Sequence, residues 1–151
     1  MINFIIYTIS TGAIDRAISA DTETLDQTFV ELVYPEFDPV LQNFLETDDI
    51  CSPLAWYFNG VEPTERPVFS DTWNFDKSSI LPDGIDSTTI GPGIPNPTKC
   101  YIAAPYDIEQ IEPFDITDGQ LSFTAPSAGT YIITLSAFPY VDEQFTIECA
   151  P

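Results

Sequence analysis

Asp118 to Ile147 reads DGQLSFTAPSAGTYIITLSAFPYVDEQFTI, three apolar runs separated by turn chemistry. Leu121 and Phe123 share one face of the first run, Tyr131, Ile133 and Leu135 one face of the second, and Phe145 and Ile147 one face of the third. That period of two is the signature of half-buried strands and not of a helix. Gly129 and Pro139 punctuate the runs, so the stretch predicts an all-β, sandwich-like domain. Such a scaffold hosts many functions and names none of them.

Upstream, the same reading extends through WNFDKSSI at 73–80, the Asp83-Gly84 turn, DSTTI at 86–90, a stiff GPGIPNP connection and TKCYIAA at 98–104. Around seven short strands at this spacing predict an Ig-like β-sandwich over residues 69–151. Residues 1–68 read as a separate N-terminal β unit, with the joint near Arg66 and Pro67. It opens with NFIIYTI, a Ser10–Gly12 turn and AIDRAIS, a hairpin pattern. FVELVY at 29–34 alternates and predicts a strand, with Val30, Leu32 and Tyr34 on one face. PVLQNFLE at 39–46 predicts one short helix, since Val40, Leu41, Phe44 and Leu45 fall at helical spacing after Asp38 and Pro39. Asn59-Gly60 predicts a second hairpin that returns antiparallel to Trp56 and Phe58, and Pro63 and Pro67 suit an edge strand.

The chain has 151 residues, enough to bury a substantial core. Its 24 acidic residues stand against four basic ones, Arg16, Arg66, Lys77 and Lys99, for a net charge of -20. A field of that sign repels phosphate backbones and anionic lipid, so nucleic-acid and membrane-surface partners are not expected. It favours solubility and docking onto a basic protein patch. No run of 18 apolar residues occurs, and MINFIIYTIS has no basic flank, so it reads as a first strand and not as a signal peptide. Cys51, Cys100 and Cys149 are odd in number and widely spaced, which argues against a disulfide framework and a zinc site; Cys100 and Cys149, inside predicted strands, are expected as free, buried thiols, with a bridge between them as the alternative.

Histidine is absent, which excludes Ser-His-Asp and Cys-His hydrolysis. GPGIPNP lacks the lysine and helix of a phosphate loop. Glu46, Asp48 and Asp49 lack the spacing of a calcium loop and read as a solvated acidic turn, while Asp83, Asp86 and Asp118 read as turn residues. No catalytic residue, metal ligand or cofactor is therefore expected, and the chain is read as non-enzymatic. Among the aromatics Trp56, Tyr57, Trp73, Tyr101 and Tyr106, we single out Trp56, Tyr57 and Trp73 as candidate interface residues.

IYTISTGAIDRAIS at 6–19 and AWYFNGVEPTERPVF at 55–69 together resemble a small module of tailed-bacteriophage tail-fibre and tail-accessory proteins. The C-terminal half, from DGIDSTTI to the closing three runs, is similar to Ig-like modules of phage virions. The resemblance implies a virion component assembled in the host cytoplasm, tail- or fibre-associated, homo- or hetero-oligomeric, acting by contact with other virion proteins. Capsid decoration, a fibre-assembly chaperone absent from the mature particle, and a module attaching to host-surface glycan remain open alternatives.

Overall fold

The computed structural model describes residues 1–105 and 111–151. The chain is mostly β, with one α-helix among the described residues, and divides into two compact units, Met1–Arg66 and Pro67–Pro151. No helix among the described residues is long and apolar enough to cross a membrane.

The first unit is built around β1 (Ile2–Thr8), the centre of an antiparallel sheet between β2 (Ile14–Ala20) and β3 (Gln42–Thr47). Phe4 and Ile6 point to one face and join Val30 and Phe37 in one apolar cluster. Ile5 points to the other and joins Ile14 and Cys51. Both faces of β1 are therefore covered, which is why FIIY at 4–7 is apolar without alternation. A bulge between Ile6 and Tyr7 skips Asp15, whose carboxylate accepts from Thr8 Oγ1 at 3.1 Å and Gln42 Nε2 at 2.9 Å. The carboxylate ties all three strands at the point where the ladder is interrupted.

Two expectations exchange places here. Residues expected as a strand form α1 (Gln27–Val33). Asp26 caps it by accepting from Phe29 N at 2.9 Å, Gln27 donates to Glu31 one turn on, and Phe29 meets Phe4 edge-on at 6.3 Å. The expected helix at 39–46 is a turn followed by β3. Asp38 does cap, accepting from Val40 N, but what it closes is a turn. Phe44 and Leu45 mimic a helical stripe because each strand face of this sheet meets its own apolar cluster: Phe44 packs with Phe37, Leu45 with Ile5. Val40 and Leu41 are exposed.

The second hairpin forms as expected, from β4 (Trp56–Phe58) and β5 (Pro63–Glu65), with Trp56 opposite Glu65 and Phe58 opposite Pro63. Its turn spans four residues. The Asn59 amide oxygen accepts from Val61 N and Glu62 N, so the side chain closes the loop.

The second unit holds two sheets around one core. After a 3-10 turn at Phe69–Asp71 come β6 (Ser79–Ile80), β7 (Ser87–Ile90), β8 (Thr98–Ala103), β9 (Ile111–Ile116), β10 (Leu121–Thr124), β11 (Gly129–Ser136) and β12 (Glu143–Cys149). One sheet runs β6-β12-β11-β8-β9, with β6 parallel to β12 and its other pairs antiparallel; β7 and β10 form the other. Ile90, Phe123 and Ala125 from one side meet Cys100, Tyr131, Ile133, Leu135 and Ile147 from the other. The faces read from the opening stretch are the buried ones: Tyr131, Ile133 and Leu135 are 2%, 0% and 0% exposed. Tyr131 also donates from its hydroxyl to Ser127 O at 3.2 Å.

Of WNFDKSSI, only Ser79 and Ile80 are in a strand. Asp76 replaces a ladder partner for β7: its N–H donates to Thr89 O, and its carboxylate accepts from Thr89 N at 2.7 Å. The sequence pattern does not predict β9, because Pro113 stands inside it. It is an outer strand, and its register with β8 shifts between Cys100 and Ile102, where a missing N–H is tolerated.

Candidate functional site

A groove of about 430 Å³ lies between the two hairpin turns of the first unit. Gly12 brings the turns together. Its φ is +76°, its carbonyl accepts from Phe58 N at 2.7 Å, and a Cβ at this position would overlap the Phe58 carbonyl. A bridge between Ala13 and Tyr57 continues the contact, and the Tyr7 and Phe58 rings stack with centroids 4.3 Å apart. Tyr7, Ser10, Thr11, Tyr57 and Phe58 line the groove, and its described lining residues carry no charge. In a chain of net charge -20 this is a neutral, aromatic surface with hydroxyl groups.

The candidate interface aromatics fall in three environments. Trp56 is half-buried and packs against the cluster of Ile5, Ile14 and Cys51. Tyr57, next along β4, is half-buried in the groove. Trp73 belongs to the second unit, where its ring lies 6.2 Å from Phe69 and 5.6 Å from Tyr140 and covers the core. Tyr101 is exposed on the five-stranded sheet, and Tyr106 lies outside the described residues. Trp56 and Tyr57 are thus neighbours that serve different surroundings. Tyr7, Gly12 and Phe58 were not singled out from sequence. They meet across about fifty residues of chain, and no local pattern signals that.

Several carboxylates accept from backbone N–H groups. Asp83 Oδ1 accepts from Ile85 N and Asp86 N at 2.8 Å each, and those bonds hold its carboxyl below the usual range. Asp86 is lowered first by Lys77, whose Nζ lies 2.6 Å away, and then by Leu81 N. Asp76 is lowered by Thr89 N and by the Thr88 hydroxyl. In the 46–50 turn, Asp49 O accepts from Thr47 Oγ1 and Asp48 O from Asn3 Nδ2. No group of three or more Cys, Asp or Glu among the described residues is placed to hold a metal ion. Cys51, Cys100 and Cys149 are free and buried, and burial pushes the Cys100 thiol up to about 11.

No family model matches the chain, and neither a curated protein nor a solved structure matches it.

Proposed function

We propose that this chain is a non-enzymatic structural component of a tailed-phage particle, tail- or fibre-associated, that acts by contact with other virion proteins. One observation carries the reading. The two stretches on which the phage resemblance rests, 6–19 and 55–69, meet within the first unit, where the Ser10–Gly12 turn docks onto Phe58; residues 67–69 belong to the second unit. That contact supports reading 6–19 and 55–66 as parts of one module.

In this reading the second unit is an Ig-like domain. Its five-stranded order is compatible with an Ig-like sheet of strands G, F and C with flanking additions, faced by a B–E pair. The Tyr131 hydroxyl bond to Ser127 O, near the start of β11, has the form of a tyrosine corner. Buried Ile133 then stands where antibody domains carry the second cysteine of their bridge, consistent with an Ig-like core built without a disulfide.

Mass spectrometry of purified particles tests the proposal. The chain is expected among the virion proteins, and its loss from particles while abundant in the lysate would overturn a structural role and favour an assembly factor. The neutral groove supports a second reading, attachment to an uncharged glycan through stacking on Tyr57. Glycan-array binding abolished by Tyr57→Ala is its expected result; binding unchanged in that variant refutes it.

A further inference from the structure

Unpaired strand edges invite pairing with other chains, and proteins guard them with proline, charge, bulges or short length. Such guards recur along the outer strands of this chain. Pro113 interrupts β9, Pro63 opens β5, and β6 is two residues long. The Asp15 bulge breaks β2, and on β3 the Asn43 side chain takes the Phe44 N–H. The outer edge of β7 is closed by Asp76.

β10 is different. Its sequence, LSFT, has no proline, no charge and no bulge, and it pairs with β7 in regular register from Leu121–Ile90 to Thr124–Ser87. The direction of its free groups follows from Asp76. Thr89 spends its N–H and C=O on Asp76, away from β10. Thr89 and its opposite residue Ser122 are therefore a non-hydrogen-bonded pair, and by alternation so are Ser87 and Thr124. The backbone N–H and C=O of Ser122 and Thr124 accordingly point outward from the sheet, and both residues are exposed. Among the described residues nothing bonds to these four groups.

We propose that the free edge of β10 is a strand-addition site for an extended segment of another protein, neutral and β-branched at its centre and bearing lysine or arginine at its ends. The neutral centre matches the exposed Ser122 and Thr124 side chains, and its inward residue continues the apolar layer beside half-buried Leu121. The basic ends follow from charge. A second copy would bring a chain of -20 against another of -20, whereas a basic segment is drawn in. The site deepens the reading of a protein that acts by contact, yet its test is independent of the particle. An empty particle inventory leaves the edge measurable, and an inert edge leaves the inventory unaffected.

The probe is a capped peptide alternating threonine and valine between terminal lysines, added to the full chain while amide hydrogen exchange is followed by NMR. At peptide about ten times its dissociation constant, exchange at Ser122 and Thr124 is expected to slow by about tenfold. Ser122→Pro removes an outward N–H that the free chain does not use, together with the exposed bond between the Ser122 and Thr89 hydroxyls at 2.7 Å, so it should abolish the protection at Thr124 while lowering the unfolding midpoint only slightly. A peptide N-methylated on alternate residues keeps its side chains, loses donors and should not protect, which tests the site without altering the protein. Unchanged exchange, equal protection by the N-methylated peptide or by one with terminal glutamates, or protection that rises with protein concentration alone would each overturn the proposal, the last in favour of a second copy.

Discussion

Replacing Gly12 by alanine tests whether the two hairpin turns of the first unit are locked together. Two separate effects are expected. An L-residue at φ +76° costs roughly 1–2 kcal/mol. The new methyl would overlap the Phe58 carbonyl oxygen and come within 3.0 Å of its carbon, so the turn must withdraw and the bond from Phe58 N to Gly12 O is lost. That bond contributes about 1 kcal/mol net, bringing the total to roughly 2–3 kcal/mol. Gly60→Ala is the matched control, since Gly60 has φ +98° and no atom within 4 Å of where a methyl would stand, leaving the backbone cost alone. Each unit has its own tryptophan, Trp56 in the first and Trp73 in the second, so urea unfolding followed by fluorescence in a Trp73→Phe background reports the first unit. With m about 1 kcal/mol/M for a unit of this size, the midpoint should fall by about 2–3 M for Gly12→Ala and by about half as much for Gly60→Ala. Equal shifts in the two variants would refute the docking of Gly12 on Phe58.

Thr88 is fully buried, and its hydroxyl lies 2.6 Å from Lys77 O, 2.9 Å from Asp76 Oδ1 and 3.1 Å from Lys77 N; Thr88→Val should destabilise the second unit by about 1–3 kcal/mol in Trp73-monitored unfolding, and a neutral result would count against this network. The pH response should turn over. Asp76, Asp83 and Asp86 have native pKa values below their unfolded ones, so the stability they contribute is present above about pH 4 and is lost as pH falls through the lower native values. Any fall in net charge from -20 on acidification relieves repulsion and works the other way; thermal midpoints that rise steadily into strong acid would contradict the role given to these three. Native protein should react slowly with a thiol reagent at pH 8 and release all three thiols on unfolding, because burial raises Cys51, Cys100 and Cys149 alike; prompt reaction of Cys100 would show that the core packed against β8 does not cover it.

What was legible in sequence depended on how many faces of a strand meet apolar neighbours. In β11 one face is core and the other solvent, so Tyr131, Ile133 and Leu135 could be read directly. The sheet of the first unit meets apolar clusters on both faces, so Phe44 and Leu45 are both apolar and imitate a helix. The true helix is seven residues long and buries Val30 alone, with Leu32 76% exposed, so its stripe is too narrow to outweigh an apparent alternation. The groove was harder still. Trp56 and Tyr57 stood out by residue type, but what separates them is the face of β4 each occupies, and the groove is closed by a glycine whose role is set by a carbonyl far along the chain.

The acid surplus also acquires a structural meaning. A protein rich in turns leaves many N–H groups outside helices and ladders, and these need acceptors. Asp26, Asp38, Asp83, Asp86 and Asp118 accept from backbone N–H groups nearby, and Asp76 and Glu143 reach across to Thr89 and Ser70. Of these seven only Asp86 also has a cationic partner among the described residues, Lys77, so backbone donors take the place of cations for part of an acidic surplus of 24 residues against four. The charge left uncompensated then acts outward. It resists association between copies and favours basic partners, while the neutral groove and the uncharged edge of β10 provide places where close contact carries no local charge penalty. The same carboxylates thus shape the turns and bias the choice of partner, which is why raising salt should weaken a basic partner's binding while stabilising the free chain.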